Sequence, residues 1–99
     1  MLEARVFFDE DDAYHGKPVH EYLLHFLMQQ GIAGATVFAA FMGYGEKHHV
    51  HKPRRLVGSD EGPLMLIFID DEAKVRAVLP HVKEVVGDGL IVLAQLERV

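Results

Sequence analysis

Pro63-Leu64-Met65-Leu66-Ile67-Phe68-Ile69-Asp70-Asp71 is the stretch from which the fold can be read. An unbroken apolar run from Leu64 to Ile69, bounded by a proline and two acids, has the length of a strand. Its lack of polar alternation places that strand in the centre of a sheet. Asp70 or Asp71 is expected to cap a following helix, in which Val75, Val78, Leu79 and Val82 share one apolar face. Pro80 is out of place there, because it removes a backbone donor, and it is expected to kink or end the helix. Gly87-Asp88-Gly89 then turns the chain into a last strand, with Leu90, Val92, Ala94 and Leu96 on one face.

The first half repeats the same order of elements. Leu2, Ala4, Val6 and Phe8 alternate with Glu3, Arg5 and Asp9, the period of a half-buried strand. The acidic cluster at 9–12 breaks it. Lys17-Pro18 opens a helix with proline expected at the first helical position, where a missing N–H costs nothing. Val19, Leu23, Phe26, Leu27 and Gln30 recur at helical spacing, and Gly31 is a natural stop. Residues 35–42, with Thr36, Val37, Phe38 and Phe41, form the second strand. The order β-α-β-β-α-β, with right-handed crossovers, gives an α+β ferredoxin-like plait spanning 1–99 as one domain. Four antiparallel strands carry both helices on one face. On the open face Phe7, Ile91 and Leu93 are expected to point away from the helices, so that sheets of different subunits pack together.

Strands two and three are joined by a connection of about 21 residues, where compact domains use roughly 2–6. It includes Gly43-Tyr44-Gly45-Glu46-Lys47-His48-His49-Val50-His51-Lys52-Pro53-Arg54-Arg55. This segment is +3 in a chain of net −5, so the rest of the chain sums to −8. Positive charge gathered in one loop of an acidic protein suits an anion. Net acidity argues against nucleic acid as a partner. A hydrophobic content of 49% with 25% charged residues excludes disorder. The absence of cysteine excludes disulfides, thiolate metal sites and a thiol nucleophile. The opening Met1-Leu2-Glu3-Ala4-Arg5 lacks the basic lead of a signal peptide, and no apolar run approaches a membrane span. Cytoplasmic residence without membrane insertion is the expectation.

Several motifs together resemble the PII-like family known as domain of unknown function one-hundred-and-ninety. They are His15-Gly16-Lys17-Pro18, Gly34-Ala35-Thr36-Val37, Met42-Gly43-Tyr44-Gly45 and His51. The likeness runs over essentially the whole chain. Behind that family stand the nitrogen-regulatory PII proteins, ferredoxin-like homotrimers that bind adenine nucleotides between subunits and touch a target protein with a long loop. Gly43-Tyr44-Gly45 resembles the lead-in to that loop, and Gly87-Asp88-Gly89-Leu90-Ile91 resembles the PII phosphate-binding turn. Leu90 stands where PII proteins carry a lysine, Met42 where they carry an arginine, and Lys47 near the place of a glutamine that helps bind 2-oxoglutarate.

The resemblance thus implies a homotrimeric, cytoplasmic sensor that binds a small anion, an adenine nucleotide by analogy, in intersubunit clefts. Loop 43–63 would meet an unidentified target protein, membrane proteins being among the candidates. The ligand-binding residues expected are Gly16, Lys17, Gly43, Tyr44, Gly45, Lys47, Arg54, Arg55, Gly87, Asp88 and Gly89. Glycines allow close backbone approach to a phosphate, and the lysines and arginines, Lys52 among them, supply charge. Neither a Walker lysine-serine pattern nor a complete Gly-x-Gly-x-x-Gly is present. The alternative is a metal-binding trimer, in the manner of copper-tolerance proteins that share the plait. His49 and His51 are two apart and would project to one side of an extended segment, with His48 or His15 completing the set. His20, His25 and His81 fall on helices, where surface or packing roles are expected. His15 and His20 near the acids at 9–12 could form a base, but no nucleophile accompanies them, and the chain is not expected to be an enzyme.

Overall fold

The computed structural model describes residues 1–45 and 62–99. Its elements are β1 (Leu2–Asp9), β2 (Ala13–Tyr14), β3 (Lys17–Pro18), α1 (Val19–Gln29), β4 (Gly34–Ala39), β5 (Pro63–Asp70), α2 (Glu72–Val86) and β6 (Leu90–Gln95). The long strands form one antiparallel sheet in the order β4-β5-β1-β6, so the apolar β5 is interior, as its sequence implies. This is the expected plait, four antiparallel strands with two helices.

One face of the sheet and the inner faces of the helices make the core. Leu2, Ala4, Val6 and Phe8 of β1 and Leu64, Leu66 and Phe68 of β5 are buried. They meet Val19, Leu23 and Leu27 of α1 and Val75, Val78, Val82, Val85 and Val86 of α2. Both strands alternate at period two and α1 recurs at i, i+4, so each element turns a single apolar face inward.

The helix ends follow backbone chemistry. Gly31 has φ +78, and its N–H donates to the Met28 carbonyl while that of Ile32 donates to Leu27. This is a complete Schellman closure, with buried Ile32 and Leu27 as its apolar pair. Pro18 lies one residue earlier than expected, at the N-cap and paired with Ala13. Asp71 is the N-cap of α2 but makes no side-chain cap bond. It is the Asp70 carboxylate that accepts the N–H groups of Asp71 (2.7 Å) and Ala33 (2.9 Å). Pro80 does not end α2, one of the two outcomes expected of it: the helix continues to Val86. Pro80 and Arg76 are both on the exposed side, where water can satisfy the carbonyl that proline leaves without a donor.

The open face corrects a second expectation. Register aligns Phe38, Met65, Phe7 and Leu90 in one row across the four strands, and Thr36, Ile67, Arg5 and Val92 in the next. Ile91 and Leu93 pair with buried Val6 and Ala4, so they lie on the helix side, and Ile91 packs on the core. Leu90 and Val92 take the open positions that Ile91 and Leu93 were expected to fill. Residues 90–94 are apolar on both faces, so their alternation carries no sign of which face is inward. Pairing to β1 decides it. The outer row is wet in the single chain, with Phe38 48% and Leu90 58% exposed.

Candidate functional site

The ends of β1 and β4 and the starts of β5 and β6 lie at one end of the sheet, because the strands are antiparallel. The segments gathered there are residues 9–12, the β2–β3 hairpin, residues 40–45, Gly62 and residues 87–89. Every described ligand-binding candidate is on one of them. Sheet order nevertheless separates two groups. β4 and β6 are opposite edges, three strand spacings or about 14 Å apart. Gly43-Tyr44-Gly45 thus follows one edge strand, and Gly87-Asp88-Gly89 precedes the other.

The glycines differ in what surrounds them. A Cβ on Gly43, Gly45 or Gly16 would meet no described residue within 4 Å. At Gly89 it would meet the Phe7 carbonyl oxygen at 2.6 Å. That glycine is what lets α2 and β6 close onto β1. The Gly89 N–H donates to Val86 (2.9 Å), and that of Gly87, at φ +56, donates to Lys83 (3.1 Å). Both amides are thus engaged within the chain. Asp88 is exposed. Tyr44, at 70% exposed, follows Phe41 and Met42, which are 70% and 56% exposed, making an apolar strip at the sheet edge. Lys47, His48, His49, His51, Lys52, Arg54 and Arg55 lie outside the described residues.

The hairpin that carries Gly16 and Lys17 is an element the sequence reading did not separate from α1. Tyr14 pairs with Lys17 across His15 and Gly16, whose φ values of 51 and 80 suit a type I′ turn. Tyr14 fixes this hairpin to both helices. Its ring lies 4.8 Å from that of Tyr22 on α1, and its hydroxyl donates to Glu84 Oε1 (3.2 Å) on α2. The other oxygen of Glu84 is 3.8 Å from His81 Nδ1, and His81 Nε2 shares a 2.7 Å hydrogen bond with the Tyr22 hydroxyl. Phe26 closes over the His81 ring at 4.6 Å. The circuit Tyr14–Glu84–His81–Tyr22 joins hairpin, α2 and α1. Burial, then the bond to Glu84, raises the Tyr14 phenol above its usual range. His81 is therefore a helix-packing residue, one of the two roles expected for it. The i, i+4 pair Tyr22 and Phe26 was the available sequence signal, but pairing it with a hairpin needed the fold.

The carboxylates of Asp9, Asp11 and Asp12 lie within 4.8 Å of one another, and Asp12 accepts the Asp9 N–H (2.9 Å). His25 is exposed, and the Nδ1 of half-buried His20 has no hydrogen-bond partner among the described residues.

The DUF190 family, described as uncharacterized ACR, matches residues 1–98. The chain belongs to it. Relatives include a UPF0166 protein of Aquifex aeolicus, 36% identical over 93 residues, covering 94% of this chain and 88% of the relative. A UPF0166 protein of Methanocaldococcus jannaschii is 29% identical over 97 residues, covering 94% and 89%. Among solved structures, CutA1 from Pyrococcus horikoshii aligns with TM-score 0.62 at 16% identity, over 100% of this chain and 86% of that one. CPII, a nitrogen regulatory PII-like protein from Thiomonas intermedia K12 bound to ADP, AMP and bicarbonate, aligns with TM-score 0.60 at 15% identity, over 94% and 82%. At these identities the structures establish a shared fold. Among the described residues of this DUF190 chain, no helix is long and apolar enough to cross a membrane.

Proposed function

We propose that this DUF190 protein is a PII-like regulator of one domain. It assembles as a homotrimer, binds a small anion of the adenine-nucleotide class between subunits, and uses loop 43–63 to engage a partner protein. The observation that carries the reading is the placement of the glycine turns. They share one end of the sheet and flank its opposite edge strands, an arrangement that suits a ligand held between neighbouring subunits. The wet row Phe38, Met65, Phe7 and Leu90 favours assembly, since a monomer gains by covering it. The likeness to CPII, itself bound to ADP and AMP, suggests the ligand class.

Lys47, Arg54 and Arg55 in the 43–63 stretch of sequence would supply positive charge to a phosphate-bearing ligand. Sedimentation of the protein with and without ATP, ADP or AMP, paired with calorimetric titration, tests the reading. A trimer that binds one nucleotide and loses affinity on Arg54→Ala, Arg55→Ala or Lys17→Ala supports it. Unchanged affinity in all three variants sinks the anion site, and a monomer that Leu90→Glu leaves unaltered sinks the assembly.

A further inference from the structure

His15 is the only non-glycine residue with positive φ among the described residues. A side chain held in the left-handed region costs about 1 kcal/mol or more, and a type I′ turn is better served by asparagine at that position. The turn alone therefore does not call for histidine. The imidazole stacks on the Tyr14 ring at 4.2 Å and 28°. Tyr14 is in turn fixed by Tyr22, Glu84 and, edge-on at 6.2 Å, His81. His15 is itself exposed and makes no hydrogen bond to any described residue. Lys17, also exposed, is paired directly with Tyr14, so its side chain leaves from the same face of the hairpin. An exposed imidazole, unbonded to any described residue, and an ammonium thus stand on one hairpin tied to both helices, an arrangement that suits a phosphate-bearing anion. Backbone strain held by a surrounding network is a known mark of sites that contact ligands.

We propose that His15 contacts the ligand, and that the Tyr14–Glu84–His81–Tyr22 circuit exists to hold its imidazole, beside the Lys17 ammonium, toward the ligand's phosphates. The inference rests on the anion-binding reading above and assigns that site a residue and a positioning network. His15→Asn is the discriminating change, because asparagine accepts positive φ and keeps the turn. The variant should melt at or above the parent temperature yet bind ADP at least tenfold more weakly. In the parent protein, the ring signals of His15 in a carbon–proton NMR spectrum should move with ADP and saturate at the same dissociation constant.

Unaltered affinity in His15→Asn, or ADP binding that leaves the His15 ring signals still, overturns the assignment while the anion-site reading stands. Inorganic pyrophosphate provides the opposite separation. If it moves the His15 signals while ADP does not bind at all, the residue holds and the nucleotide reading falls. If neither anion moves them, His15 is not a ligand contact.

Discussion

Gly89→Ala offers a quantitative test of how β6 is docked. The new Cβ would lie 2.6 Å from the Phe7 carbonyl oxygen, 3.1 Å from the Val86 Cβ and 3.3 Å from the Val86 carbonyl oxygen. Neither oxygen belongs to a side chain that can rotate away. Relief requires β6 to part from β1 at the Phe7–Leu90 pair, or the 2.9 Å bond from Gly89 N–H to Val86 to open. Overpacking a filled site costs about 1–3 kcal/mol, and a weakened hydrogen bond adds about 1 kcal/mol. The expected loss is therefore about 2–4 kcal/mol. At about 4–8 °C per kcal/mol for a domain of this size, Tm should fall by roughly 10–30 °C. Where alanine fits, the same substitution stabilises by about 0.4–1 kcal/mol through the unfolded chain, so even the sign is diagnostic. Urea and thermal unfolding followed by circular dichroism would measure it, at fixed protein concentration because assembly contributes to Tm. Gly45→Ala is the control, with no described residue within 4 Å of its Cβ. A Gly89→Ala protein within about 0.5 kcal/mol of the parent, the scatter of neutral substitutions, would refute the close-approach argument. A need for glycine there would then have to come from a ligand.

Pro80→Ala should stabilise the protein, since it restores a donor to the Arg76 carbonyl. Proline inside a helix costs about 3 kcal/mol, offset by about 0.4–1 kcal/mol of unfolded-state entropy, leaving about 2 kcal/mol in urea unfolding. Gly31→Ala should destabilise by about 1–2 kcal/mol, because φ +78 is left-handed, and Gly31→Asn should cost less. Asp70 is held below the usual carboxylate range, first by the Asp71 N–H, then by the Ala33 N–H and less by Lys74, against an opposing effect of burial. Its contribution is present above the unfolded-state value of about 3.9 and is lost as pH falls through the lower folded-state value. Thermal melts from pH 6 downward should show that acid loss in the parent and a flatter limb in Asp70→Asn.

Element order was legible because each element carries its own period. The alternation of β1, the i, i+4 spacing of Val19, Leu23 and Leu27, and the unbroken run in β5 are local properties. The Gly31 stop was legible for the same reason, since a left-handed residue after a helix is a requirement of a few adjacent bonds. That Pro80 would not end its helix was not legible, because the cost of a missing donor depends on whether water can reach the carbonyl, and exposure is not a local property. His15, Gly16 and Lys17 were visible as a motif, but the hairpin they close has only two residue pairs, too few to announce a strand. The candidate site was legible as residue types, glycines beside charge, and not as a shape.

By itself, then, the chain determined its plait, the core faces of every long element but β6, and the end of the sheet where its turns collect. Tertiary structure decided what depends on partners distant in sequence. Apolar on both faces, β6 acquired an inside only when Leu90 met Phe7 and Ile91 met Val6. Gly89 acquired its reason from a carbonyl eighty-two positions upstream. Tyr14 found Glu84 seventy residues away, and strand order set the two glycine turns on opposite edges. Periodicity fixes which face of an element is apolar, but only pairing fixes which neighbour that face meets.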